Sequence, residues 1–121
     1  MSAGGGPRFE IRVADQALDE DLAHCTASGR SAIETMLSNL SEEGIPRDWL
    51  RRCEAEGHDG TRLGGCVKLY IPQPAGQWGA VFTADVEDGK PVLVLVAAGE
   101  RHPERPWRPS VYEVAHRRLH R

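Results

Sequence analysis

The chain of 121 residues has only three cysteines, Cys25, Cys53 and Cys66. Their number is odd and none stands in a CxxC or CxxH spacing, so neither a disulfide framework nor a zinc site is indicated. They are expected as small core residues. No stretch approaches the ~20 apolar residues of a membrane span, and the opening MSAGGGPRFEIRV lacks the apolar segment of a secretory leader. A cytoplasmic protein without membrane contact is the expectation. Repeats and low-complexity blocks are absent, and aromatic residues make up 6% of the chain, with just two tyrosines. With 40% hydrophobic and 27% charged residues the composition is that of an ordinary globular protein. A chain of this length hides about two-thirds of its unfolded surface on folding. Residues 8–121 therefore read as one domain behind a flexible tail at 1–7.

Positive charge is scarce early and gathered late. Residues 1–60 hold six Lys/Arg against twelve Asp/Glu, and residues 61–121 hold nine against six, within a net charge of −3. Six arginines and three histidines fall between Arg101 and Arg121. A polyanion would meet a local positive field there. The ordinary alternative is a solvated helix end whose basic residues complement the macrodipole.

Hydrophobic periodicity predicts the elements. Phe9, Ile11 and Val13 alternate with charges in a strand from Arg8 to Val13. DQALDEDLAHC reads as a short helix. SAIE, from Ser31, has capping-box spacing, and Ile33, Met36, Leu37 and Leu40 follow at helical intervals, placing a second helix from there to about Gly44. Pro46 to Cys53 reads as a short helix followed by a glycine-broken loop. CVKLYI, QWGAVFTADV and PVLVLVAAG predict an antiparallel meander, with Asp88-Gly89 as its hairpin turn. VLVLV, apolar throughout, is expected to be the most buried strand. Ser110 and Glu113 form a capping box that opens a last helix with an apolar stripe of Val111, Val114, Ala115 and Leu119. The order is β-α-α-(α)-β-β-β-α, an α+β class.

Strands ending in AAGER and followed by VYEVAHRRL resemble the end of the RelE/ParE toxin superfamily of toxin–antitoxin systems. RLGGCVKLYIPQPAG is similar to that family's loop and lysine-bearing second strand. The resemblance extends over nearly the whole chain and implies a β-α-α-β-β-β-α fold. Its parts are one antiparallel or mixed sheet, two N-terminal helices and a C-terminal helix. For the RelE-like branch it implies a ribosome-dependent mRNA endonuclease in which a ribose 2′-OH attacks the adjacent phosphate, without cofactor or metal. Its partners would be mRNA, the ribosome and a cognate antitoxin protein from an adjacent gene.

Residue by residue, the resemblance makes Lys68, Arg101 and Tyr112 the catalytic candidates. Lys68 would hold the phosphate or favour a deprotonated 2′-OH. Arg101 would stabilise the phosphate or assist the leaving group. Tyr112 would stack on a base or transfer a proton. Singly, each also fits an ordinary role: an exposed strand lysine, a surface charge, a helix residue covering the sheet edge. Arg105, Trp107 and Arg108 in HPERPWRP, with His116 and Arg117, are the RNA-binding candidates. His116 follows Tyr112 by one helical turn. Two positions depart from the family pattern: Tyr70 stands where a second strand lysine is expected, and Gly79 where an arginine follows the aromatic. These favour the other readings, a ParE-like gyrase-binding toxin or a RelE-fold binding module without catalysis.

Overall fold

The computed structural model describes residues 10–13, 15–42, 50–53, 61–70, 77–103 and 109–120. Strands β1 (Glu10–Val13), β2 (Leu50–Arg52), β3 (Cys66–Tyr70), β4 (Trp78–Glu87) and β5 (Lys90–Glu100) form one sheet in the order β1-β5-β4-β3-β2. Helices α1 (Asp15–Ala23), α2 (Ala27–Glu42) and α3 (Val111–Leu119) complete the α+β architecture. β1 runs parallel to β5, and every other neighbour is antiparallel. The sheet is therefore mixed. The proposed tail at 1–7 lies outside the described residues.

The two faces of the sheet carry different partners, because alternate side chains point to opposite sides. On one face Leu69, Trp78, Ala80, Phe82, Leu93, Leu95 and Ala98 pack with Leu22 of α1 and Ile33, Met36 and Leu40 of α2. On the other, Cys66, Val81 and Ala97 pack with Leu63 and with Val111 and Ala115 of α3. Opposite Val81 and Phe82 the β5 partners are Ala97 and Leu95, so Val96 is the extra residue of a bulge. Both Val96 and Ala97 then lie on the α3 side. The turn joining β4 to β5 has Asp88 at φ 51 and Gly89 at φ 76, the left-handed pair that an Asp-Gly hairpin turn uses.

Three expectations change. The segment Leu50–Arg52 is a strand, hydrogen-bonded to β3, rather than part of a helix. Residues 46–49 of that expectation lie outside the described residues. α2 begins at Ala27, with the Thr26 hydroxyl accepting the Gly29 amide at 3.1 Å as its cap. Ser31 is thus inside the helix. The longest buried run is Trp78–Phe82 of β4, whereas VLVLV of β5 alternates between buried and half-buried positions. Cys66 is buried, Cys25 and Cys53 are half-buried, and all three are free thiols.

Gly29 sits inside α2 because the indole of Trp78 lies against it. A Cβ there would fall 2.3 to 2.6 Å from three ring atoms of a tryptophan that is itself 3% exposed. Gly29→Ala should therefore cost about 1–3 kcal/mol despite the better helix propensity of alanine. A lower midpoint in urea unfolding checks this. An unchanged or raised midpoint would contradict the packing.

β1 ends at Val13 opposite Leu95, so the edge of β5 beyond that point needs other hydrogen-bond partners. Side chains from both flanking helices supply them. Asp21 of α1 accepts the Ala98 amide at 2.9 Å, and Arg118 of α3 donates to the Val96 carbonyl at 2.8 Å. The two side chains also pair with each other through both carboxylate oxygens, at 2.9 and 2.8 Å. This link docks α3 on the edge of β5.

Candidate functional site

Lys68, Arg101 and Tyr112 meet at one end of the sheet, on its α3 face. Lys68 and Tyr70 are two apart on β3 and so share that face. The Arg101 amide bonds to the Gln77 carbonyl at 2.8 Å, anchoring the chain just past β5. Tyr112 is in the first turn of α3, whose start is fixed by Ser110: its hydroxyl accepts the Glu113 amide at 3.1 Å, and Glu113 accepts the Ser110 amide. The expected capping box is present.

The contacts within the group are short. Arg101 Nε donates to the Tyr112 hydroxyl at 3.2 Å, and its guanidinium lies 3.6 Å from the centre of the Tyr70 ring. The Lys68 ammonium is 5.4 Å from the centre of the Tyr70 ring and 5.5 Å from that of Tyr112. Arg51 of β2, directly opposite Lys68 in the register, approaches the Tyr70 ring to 5.6 Å. Three cations thus surround one phenol ring, within the range at which an aromatic face attracts them. The His102 ring is 6.2 Å from that of Tyr112.

Gly79 explains how Arg101 reaches Tyr70. It pairs with Tyr70 on one side and Gly99 on the other. A Cβ on Gly79 would lie 3.0 Å from Arg101 Cγ and 3.0 Å from the Leu69 carbonyl oxygen. The arginine stem therefore runs across a bare patch of sheet. Gly79 and Tyr70 thus form a floor and a platform on which Arg101 lies.

The site holds its protons unevenly. Burial works to raise the Tyr70 phenol, but hydrogen bonding and charge from Lys68, joined by Arg101, outweigh it and carry the value below the ordinary one. For Lys68, burial works downward and is outweighed by Tyr70, so the ammonium is held more firmly. Tyr112 goes the other way: burial raises it, and the bond and charge of Arg101 only partly offset this. The two phenols are thus shifted in opposite directions, Tyr70 down and Tyr112 up.

The remaining candidates are placed elsewhere or fall outside the described residues. His116 Nδ1 accepts the Arg62 amide at 2.8 Å, and His120 Nε2 bonds to the Arg62 carbonyl at 2.8 Å. Their rings lie 4.6 Å apart, pinning the chain at Arg62 to the last turns of α3. Arg117 is exposed on the same helix. Arg105, Trp107 and Arg108 lie outside the described residues. Arg51 was not legible as a site residue, because a three-residue strand is too short to show a period; its only signal is a cation one residue past an apolar position.

No family model and no curated protein matches the chain. Among solved structures it is similar in fold to a mutant of the E. coli toxin RelE in the free state. The identity is 20%, the match covers 79% of this chain and 86% of that chain, and the TM-score is 0.44. No described helix is long and apolar enough to cross a membrane.

Proposed function

We propose that the chain is a RelE-like toxin that cleaves mRNA on the ribosome and is held inactive by an antitoxin partner. The observation that carries this reading is the convergence of Lys68, Arg101 and Tyr112 on one patch of the α3 face. These are the residues that the sequence resemblance implies for cleavage. Attack of a ribose 2′-OH on the adjacent phosphate needs cations where charge builds, and a proton for the departing oxygen. Lys68 and Arg101 supply the first. Tyr112, kept protonated by burial, suits the second, and Arg51 extends the positive field towards the sheet edge.

The test is primer extension on a defined mRNA under translation, with and without the purified protein. Discrete cuts that weaken with Lys68→Ala support the reading. Ribosome binding with intact mRNA would leave a binding module, the reading that Gly79 and Tyr70 favour when taken from sequence alone.

Gly79→Ala should slow cleavage about 10- to 100-fold, because the added methyl pushes Arg101 off the Tyr70 ring and small misplacements at a reacting centre are costly. Circular dichroism on the same preparation checks that the sheet is intact. Full activity in a folded Gly79→Ala protein would contradict this placement of Arg101.

A further inference from the structure

We propose that Tyr70 takes the proton from the attacking ribose hydroxyl and that Tyr112 returns one to the leaving oxygen, an assignment that rests on the nuclease reading above. Two like groups share one site, and their surroundings differ. Tyr70 faces Lys68 from its own strand, Arg51 from β2 and Arg101 from the end of β5. Lys68 and Arg101 favour a negative phenol oxygen. Tyr112 on α3 is packed beside Val111 and Ala115, and this burial outweighs the pull of Lys68 and of Arg101, whose Nε its hydroxyl oxygen accepts. Pairs of titratable groups whose environments push them apart are the acid and base of a reaction. The directions of the two phenols agree, down for Tyr70 and up for Tyr112.

The step balances without any further reactant. The Tyr70 phenolate oxygen accepts the 2′-OH proton as the 2′ oxygen bonds to phosphorus. The bond from phosphorus to the 5′ oxygen breaks, and that oxygen takes the Tyr112 proton. The products are a 2′,3′-cyclic phosphate and a 5′-hydroxyl. Tyr70 ends neutral and Tyr112 ionised, and exchange with water restores both.

Because the chain has two tyrosines in all, each is read alone in the absence of the other. Near-ultraviolet titration of Tyr112→Phe should show Tyr70 ionising below the ordinary phenol value of about 10, and Tyr70→Phe should show Tyr112 above it. Cleavage is then followed against pH. Wild-type rate should rise with pH as Tyr70 ionises. Tyr70→Phe, which keeps the ring under Arg101, should lose about 100-fold or more and lose that rise. A Tyr70 that titrates at or above 10 overturns the assignment. So does a folded Tyr70→Phe that cuts with the wild-type pH profile, and in that case the nuclease reading survives. Intact mRNA with wild type removes both.

Discussion

Replacing Arg101 with alanine is expected to slow RNA cleavage about 30- to 1,000-fold while leaving the fold unchanged, a loss of roughly 2–4 kcal/mol of transition-state stabilisation. The guanidinium is oriented before substrate arrives, by the stack on Tyr70 at 3.6 Å and the bond to the Tyr112 hydroxyl. A preoriented cation spends little on reorganisation as charge builds on the phosphate. Little in the core depends on it: Arg101 is half-buried beyond the last strand, and its side chain lies over the Gly79 backbone rather than among the apolar clusters. Single-turnover cleavage rates with matched unfolding curves check the prediction. A variant that cuts as fast as wild type, or one that loses activity only by unfolding, would contradict it.

The largest effect on stability is expected at Asp21. Asp21→Ala removes both bonds to Arg118 and the acceptor for the Ala98 amide. The arginine that remains has a side chain only 15% exposed, and it keeps the Val96 carbonyl at 2.8 Å but only one carboxylate, Glu20 at 3.4 Å on the surface. Breaking one side of such a pair costs about 3–5 kcal/mol, because the other charge stays buried. That is a large share of the roughly 5–15 kcal/mol that holds an ordinary domain together. Asp21→Asn keeps an oxygen for the Ala98 amide and should be milder. Urea midpoints for the two variants and wild type should fall in the order wild type, Asn, Ala. Equal midpoints for alanine and wild type would mean that α3 is docked by its apolar stripe alone.

The meander and the last helix were legible in the sequence because their signals are local. The strand-forming runs CVKLY and WGAVF, the Asp-Gly turn and the Ser110/Glu113 box each act within a few residues, and the structure keeps all of them. Signals that depend on a distant partner were not legible. Gly29 falls before the helix expected from Ser31, yet it lies within α2 with Trp78 packed against it. Arg51 falls in the helix expected from Pro46 to Cys53, whereas the pairing of β2 with β3 sets it opposite Lys68. The site shows the same division. The candidates Lys68, Arg101 and Tyr112, taken from short motifs, lie together on the α3 face, whereas Tyr70 and Gly79 looked like losses. In space the glycine makes room and the tyrosine makes a surface, and both are taken up by one arginine.

If this cluster of cations and tyrosines breaks RNA by internal attack, the new ends carry its signature. Wild-type protein is added to translating ribosomes carrying one defined mRNA, and the fragments are examined for their terminal groups. Discrete cuts are expected with a 2′,3′-cyclic phosphate on the upstream fragment and a 5′-hydroxyl on the downstream one, absent with Arg101→Ala over the same interval. An intact message, or ends bearing a 3′-hydroxyl and a 5′-phosphate, would contradict internal attack.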